Sequence, residues 1–457
     1  MHFEEHDIIV APATAVGGAI AVIRVSGDGS VECCDRVFRG RTSLAEAKPY
    51  TVHYGEIVDG GRVLDDVLVT VFRAPHSYTG EDGVEISVHG SGYIVSELLA
   101  LLVRHGARMA QPGEFSVRAF LAGKMDLSQA EAVADMIASS SRASHSLAST
   151  QMRGGYSTSL AELRSKLLNV VSLLELELDF AEEEVEFADR GQLAEMLDSA
   201  ACEIERLCES FRLGNAIKEG VATVIVGEPN VGKSTLLNRL VGEERAMTSD
   251  IAGTTRDTIE AMCNIDGVMF RFVDTAGLRD TDDRLERMGI ERTQRAVEQA
   301  QIVVQMVEAG ADGEAEPVSV TDEQTLIRVV NKIDKYSSAC AMVEDGNHDG
   351  KEGGDVIYIS AKHGEGVDEL RRRLRATIDT EGVYAGESVV SNGRHYEALQ
   401  RALEALLHSR EALVEGLSGE LLSEELREVL RHLGEITGEI TSQDILNNIF
   451  SKFCIGK

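Results

Sequence analysis

Gly227-Glu228-Pro229-Asn230-Val231-Gly232-Lys233-Ser234-Thr235 lies between two stretches of opposite character. Before it, Val221 to Val226 is apolar and β-branched and reads as a buried strand; after it, Ser234 to Leu240 reads as the start of a helix. Strand, glycine-bearing loop and helix, in that order, are the setting a phosphate loop requires. Gly227 and Gly232 let the backbone approach a ligand closely, and the positive end of the helix reinforces the N–H groups that face phosphate oxygens. Lys233 is then expected to reach the β- and γ-phosphates, and the Ser234 hydroxyl to hold Mg2+.

Companion motifs follow in workable order. Asp274-Thr275-Ala276-Gly277 comes after the apolar run Val268 to Val273, which puts a carboxylate at a strand's end beside the magnesium shell and an N–H at Gly277 to sense the γ-phosphate. Asn331-Lys332-Ile333-Asp334 follows Leu326 to Val330. A carboxylate at Asp334 can accept from both N1 and N2 of guanine, and adenine has no such donor pair, so GTP and GDP are selected over adenine nucleotides. Ser360-Ala361-Lys362, after Val356 to Ile359, can set a backbone N–H against guanine O6. Between the phosphate loop and the Asp274 strand lies Ser249-Asp250-Ile251-Ala252-Gly253-Thr254-Thr255-Arg256-Asp257, where a first switch segment belongs. Thr255 is expected to give magnesium its second hydroxyl.

The catalytic apparatus departs from the pattern of many regulatory GTPases, where a glutamine after the Asp-Thr-Ala-Gly motif orients the attacking water. Here Leu278 holds that place, and an aliphatic side chain cannot polarise water. The acidic stretch Asp280 to Glu291 offers Asp282, Asp283, Glu286 and Glu291 instead. Charge on the transferring phosphoryl group has two candidate partners: a monovalent cation held by Asn230 and loop carbonyls, or Arg256 acting as a finger in cis.

The Asn230-bearing loop, Asp250 to Asp257, Leu278 and the final Cys454-Ile455-Gly456-Lys457 resemble the MnmE (TrmE) family of tRNA uridine-modification GTPases. So do Ser77-Tyr78-Thr79-Gly80-Glu81-Asp82, His89-Gly90, Gln111-Pro112-Gly113-Glu114-Phe115-Ser116 and Gly123-Lys124-Met125-Asp126-Leu127-Ser128-Gln129-Ala130-Glu131-Ala132. The resemblance runs nearly end to end. It implies a K+-stimulated GTPase in which Asn230, with backbone oxygens of Ser249, Ile251 and Thr254, holds potassium and Glu286 orients the water. It also implies a 5-formyltetrahydrofolate site formed by Arg24, Glu85, Lys124 and Lys457, a role for the Cys454 thiol, and a homodimer joined through the N-terminal domains and transiently through the G domains. The implied chemistry is addition of a carboxymethylaminomethyl or aminomethyl group to C5 of the wobble uridine of tRNA. A flavoprotein partner, MnmG (GidA), would perform the redox steps. A ribosome-assembly switch of the Era or EngA type is the alternative, and an N-terminal domain that only scaffolds the dimer is a third reading. The switch reading calls for a basic RNA-binding module, which the acidic helical tail lacks.

Composition bounds these readings. The chain has 457 residues, 45 basic and 77 acidic, for a net charge of −32. Nucleic-acid binding calls for a basic footprint, so an RNA-modifying role requires a local basic patch or a partner that makes most of the RNA contact. Seven cysteines, at 33, 34, 202, 208, 263, 340 and 454, show no paired spacing, which argues for a reducing compartment and against structural zinc. No basic-then-apolar leader and no membrane-length apolar run occur, so a cytoplasmic protein away from membranes is expected.

Residues 1–123 alternate β-rich runs (Asp7 to Pro12, Ala19 to Val25, Val67 to Phe72, Val84 to His89) with the turn Asp59-Gly60-Gly61 and one helix, Tyr93 to His105; this reads as an α+β domain. Leu160, Leu163, Leu167, Val170, Leu174 and Leu178 recur at helical steps, and the period returns at Tyr396 to His408 and Leu421 to Leu433. The expected fold is therefore multidomain: an N-terminal α+β domain (1–123), an all-α domain in two halves (124–219 and 381–457), and a Ras-like α/β P-loop G domain (220–380) inserted between them. Given the resemblance, the first of these is the dimerisation and formyl-folate-binding domain. Glu182 to Glu186 reads as a solvated helix face, and Gly310 to Glu316 and Ser337 to Asp355 read as surface loops.

Overall fold

The computed structural model describes residues 7–179, 190–242, 261–273, 294–310, 318–335, 356–451, 453 and 455–456. The expectations for Glu182 to Glu186, the first switch segment, Asp280 to Glu291, Gly310 to Glu316 beyond Gly310 itself, and Ser337 to Asp355 fall outside those residues.

The first elements are β1 (Ile9–Pro12), β2 (Ile20–Ser26), α1 (Ser30–Asp35), β3 (Phe38–Gly40), β4 (Val52–Asp59), β5 (Arg62–Phe72), β6 (Gly83–His89), α2 (Gly92–Arg104), β7 (Arg108–Met109) and α3 (Glu114–Leu121). Their strands make one seven-stranded sheet in the order β3-β4-β5-β6-β2-β1-β7, with β1–β7 the parallel pair. The turn expected at Asp59-Gly60-Gly61 joins β4 to β5, with Gly60 at φ 54° and Gly61 at φ 99°. Val25, Val69, Val71 and Ile86 of the sheet are buried in one cluster with Leu98 and Leu102 of α2.

Helices follow: α4 (Leu127–Ala138), α5 (Arg142–Met152), α6 (Gly155–Asp179) and α7 (Arg190–Glu219). Leu160, Leu163, Leu167, Val170 and Leu174 are buried on α6, as their spacing predicts. Ser141 caps α5: its hydroxyl accepts from Ser144 N at 3.1 Å, and the Ser144 hydroxyl in turn accepts from Ser141 N, also at 3.1 Å. Such a cap is worth about 1 kcal/mol.

The chain passes from α7 through Gly220 into β8 (Val221–Gly227), then α8 (Lys233–Gly242), β9 (Ala261–Ile265), β10 (Val268–Phe272), β11 (Ile302–Glu308), β12 (Thr325–Asn331) and β13 (Val356–Tyr358). These form a second sheet, β13-β12-β11-β8-β10-β9, parallel except for the β9–β10 hairpin. Every residue of β8 from Val221 to Val226 is buried, and each Val or Ile there contributes roughly 1.5–3 kcal/mol. Further helices are α9 (Val367–Ala376), α10 (Glu381–Ala385), α11 (Gly393–Val414), α12 (Gly419–Thr437) and α13 (Gln443–Phe450).

By internal contacts the chain divides into residues 1–134 with 430–457, and 135–429. Within the second unit the chain leaving the α/β sheet returns beside α7: Val390 N donates to Ser210 Oγ (3.0 Å), Gln151 Nε2 donates to Val389 O (2.9 Å), and Phe211 stacks on Tyr396 at 4.4 Å. In the same unit, α5 meets the β9–β10 turn. Ala143 N donates to Gly267 O (2.9 Å), and the Arg142 guanidinium lies 4.9 Å from the Tyr384 ring centre.

Within the first unit, α3, α4 and α13 share a small core of Val117, Leu127, Ala130, Leu446, Phe450 and Phe453. A buried charge network joins α3 to the sheet. Glu114 is fully buried and accepts from Arg108 Nη2 (2.5 Å), Arg118 Nη2 (3.2 Å) and Gln111 N (2.8 Å), while Asp7 pairs with both arginines and Arg118 also reaches Glu81 (3.2 Å). Burial pushes the Glu114 carboxyl up, but the Arg108 bond, the Gln111 amide and the two positive charges outweigh it, and the pKa is held below the ordinary value. Asp7 is lowered in the same way, by bonds from Arg108 and Arg118 against desolvation.

Depressed carboxylates stabilise the fold at pH values above their unfolded pKa, about 4, and that contribution disappears as pH falls through the folded value. Thermal unfolding followed by circular dichroism is therefore expected to show a midpoint that is flat from pH 8 to 6 and drops below about pH 4. Glu114→Ala leaves Arg118 paired with Asp7 and Glu81 but removes the one fully buried carboxylate and its bonds to Arg108, Arg118 and Gln111, and is expected to cost about 1–3 kcal/mol at pH 7. A midpoint for Glu114→Ala equal to that of the parent would mean the network contributes nothing.

Candidate nucleotide-binding site

The phosphate loop occupies the C-terminal edge of the second sheet, where open α/β sheets bind ligands. Gly227, at φ 150°, ends β8 so close to β11 that a Cβ would stand 2.2 Å from Met306 O. Asn230, at φ 63°, adopts the left-handed region that asparagine tolerates, and its side chain is on the exposed rim. Gly232, at φ 106°, leaves room for a neighbour: a Cβ there would lie 2.3 Å from Asn331 Nδ2. Lys233 Nζ donates back to Gly227 O (2.7 Å) and Glu228 O (2.8 Å), spanning the cradle where phosphates are expected. Burial lowers its pKa. Val231 is buried, and Ser234 and Thr235 lie in the first turn of α8, at the positive end of the helix.

Three loops meet over this cradle. Asn331, buried at the end of β12, donates from Nδ2 to Val231 O (2.7 Å) and accepts at Oδ1 from Ala361 N (2.9 Å). Ile333 is buried and anchors the short 3-10 turn Ile333–Lys335, which carries Asp334. Ser360 Oγ donates to Asp334 Oδ1 (2.7 Å), and this bond lowers the Asp334 pKa, so the carboxylate is charged and fixed. Lys332 Nζ, at φ 66° on the backbone, pairs with Glu308 (2.5 Å), as does Lys335 (3.3 Å). Ala361 N is engaged by Asn331, and the next amide in that loop belongs to Lys362.

The structure therefore brings together Asn230, Val231, Gly232, Lys233, Ser234, Thr235, Asn331, Lys332, Ile333, Asp334, Ser360, Ala361 and Lys362. Ser249 to Thr255, Asp274 to Gly277 and Glu286 lie outside the described residues. Glu308 and Arg239, which holds the Ala361 and Lys362 carbonyls, were not expected from the motifs. Glu308 ends the apolar run Ile302 to Val307, and that strand was the signal available. Among the described residues no group of three or more His, Cys, Asp or Glu is placed to share a metal ion. The expected magnesium set draws instead on hydroxyls and phosphate oxygens, which suit a hard cation.

In the first unit Arg24 and Glu85 face each other across β2 and β6, and Arg24 Nε and Nη2 both reach Glu85 Oε1 (2.9 and 2.8 Å). Arg24 Nη1 also donates to Gly456 O (3.2 Å), and its guanidinium lies 5.2 Å from the Tyr78 ring centre. A Cβ on Gly456 would stand 2.2 Å from Pro12 O, so the tail is tucked tightly against β1. A cleft of about 60 Å³ opens here, lined by Arg24, Ser26, Phe72, Tyr78, Thr79 and Glu85. That is well below the roughly 300 Å³ at which small-molecule pockets usually begin. Lys124 lies against Gly80, whose loop forms one wall; Cys454 and Lys457 are outside the described residues.

Family profiles match both parts of the chain: "GTP-binding protein TrmE N-terminus" over residues 8–124 and "MnmE helical domain" over residues 127–454. The tRNA modification GTPase MnmE of Bacteroides thetaiotaomicron is 50% identical over 465 residues, covering 99% of each chain. That of Cytophaga hutchinsonii is 49% identical over 457 residues, covering 99% of this chain and 98% of its own. Among solved structures, Aquifex aeolicus Era bound to GDP and aluminium fluoride is 28% identical over 42% of this chain and 65% of its own, with a TM-score of 0.25. With relatives this similar over its whole length, the chain belongs to the MnmE family of tRNA modification GTPases.

Proposed function

We propose that this chain hydrolyses GTP as part of tRNA modification, the activity for which its full-length relatives are named. The observation that carries the guanine-nucleotide reading is the charged Asp334 carboxylate, fixed by Ser360 beside a phosphate cradle that Asn331 ties to the same loop. Asp334 accepts from the guanine edge; Lys233 leaves the loop carbonyls for the β- and γ-phosphates; the α8 N-terminus faces the phosphate charge. Ser234 and Thr255 would hold magnesium, with Asp274 behind its water shell and Gly277 at the γ-phosphate. Asn230, with backbone oxygens of Ser249, Ile251 and Thr254, would hold potassium. Magnesium and potassium, when bound, supply the positive charge that stabilises the transferring phosphoryl group. Glu286 is the proposed water-orienting residue in place of a glutamine.

The finer reading assigns the Arg24–Glu85 cleft, with Lys124 and Lys457, to 5-formyltetrahydrofolate: the carboxylate suits the amino face of a pterin, and the cations suit the ligand's glutamate carboxylates. It places Cys454 beside that cleft as the reactive thiol and assumes a homodimer in the cytoplasm, working with the flavoprotein MnmG on C5 of the wobble uridine. The position of the Gly456 carbonyl on Arg24 supports it, because the tail motif then borders the cleft.

Asp334→Asn exchanges an acceptor for a donor. GDP affinity is expected to fall at least about a hundredfold while xanthosine diphosphate gains, as titration with fluorescent nucleotides would report. Unchanged selectivity would remove Asp334 from base recognition. Replacing sodium by potassium is expected to raise GTP turnover several-fold in phosphate-release assays, and equal rates in both salts would take the cation role from Asn230. Arg24→Ala is expected to weaken formyl-folate binding about tenfold or more by calorimetry; an unaltered affinity would end the folate assignment.

A further inference from the structure

A loop that reads a base through its amides must be held from behind. Each peptide group is planar, so fixing the direction of its C=O fixes the opposite direction of its N–H. In Ser360-Ala361-Lys362 the restraint comes from Arg239, on the last turn of α8. Its Nε donates to Ala361 O (2.9 Å) and its Nη2 to Lys362 O (2.7 Å).

The consequences follow peptide by peptide. The group that ends in the Ala361 carbonyl carries the Lys362 N–H, which therefore points away from the guanidinium. The next group, with the Lys362 carbonyl, carries the His363 N–H, which donates to Ser360 Oγ (3.3 Å), and that hydroxyl donates to Asp334 Oδ1 (2.7 Å). One side chain thus orients both peptides and, through Ser360, the carboxylate expected to select guanine. The loop is shaped around this guanidinium: at Gly364, φ 91°, a Cβ would stand 2.8 Å from Arg239 Nη1. Helix α8 begins at Lys233 and Ser234, so the element that starts at the phosphate cradle also braces the base loop.

We propose that Arg239 is a positioning residue for guanine recognition, holding the Lys362 amide toward O6 of the base. The proposal rests on the guanine-nucleotide reading given above and deepens it. Lysine cannot replace the side chain, because its single ammonium lacks the fixed fork that reaches two successive carbonyls.

The test uses the full chain and two diphosphates, GDP and 6-thio-GDP. The second keeps the N1 and N2 donors that Asp334 reads and replaces only O6 with a weaker acceptor. The parent protein is expected to prefer GDP. Arg239→Ala should weaken GDP about tenfold, the scale of one hydrogen bond, and 6-thio-GDP only two- to threefold, so that the preference shrinks. Arg239→Lys, which keeps the charge, should lose the preference as well, and it decides the matter if the alanine variant does not fold. Equal weakening of both nucleotides, or no weakening of either, would overturn the proposal, as would a parent protein that binds the two alike. A parent that binds neither diphosphate would instead sink the guanine-nucleotide reading itself.

Discussion

The carboxamide of Asn331 is the contact on which the candidate site depends. It is one of the few side-chain groups with a donor and an acceptor a short distance apart, and both are used: 2.7 Å to the carbonyl of Val231 and 2.9 Å from the amide of Ala361. Phosphate loop and base loop follow different strands, β8 and β13, and Asn331 ends β12. A single buried amide therefore ties the phosphate loop to the Ser360–Lys362 loop. An aspartate could supply only acceptors to these partners, and an alanine would leave a carbonyl and an N–H unpaired in the interior.

The electrostatics of the two units differ in kind. In the first, Glu114, Asp7, Glu81, Arg108 and Arg118 form a closed set of charges around α3, with the tail-contacting Arg24–Glu85 pair elsewhere on the same sheet. In the second, Lys233 folds onto neutral carbonyls of its own loop, and among the described residues no carboxylate pairs with it. Across the chain the balance is −32, a field that repels RNA at long range. tRNA work by such a chain calls for either a local basic patch or a partner that makes most of the backbone contact.

Much of the G domain was legible because phosphate chemistry demands particular residues at particular turns. Val221 to Val226, Val268 to Val273 and Leu326 to Val330 each precede a motif, and β8, β10 and β12 stand where those runs lie. β11 is just as apolar but leads into no motif, so Ile302–Glu308 and the Glu308 ion pairs with Lys332 and Lys335 went unforeseen. In the N-terminal sheet, β5 begins at Arg62 and not at Val67, because Asp65 and Asp66 on its first half suppress the strand signal while pairing with His89 and Tyr54. β3 and β4 were missed for the same reason: exposed Tyr54, Val52 and Arg39 mix with glycine and charge. The pairing of Arg24 with Glu85 is a matter of register between distant strands, which local pattern does not encode. Arg239 was illegible because its partners are main-chain carbonyls more than a hundred residues away.

The β9–β10 hairpin leaves the first switch segment at one end and enters the Asp274 motif at the other. Its tip is not free: Gly267 accepts from the first turn of α5, and a Cβ at Gly267 would stand 3.1 Å from Arg142 Cβ. The ribbon that joins these two segments is thus riveted to a helix outside the sheet. A lever pinned at its far end cannot tilt at the phosphates without either dragging that helix or shearing the rivet.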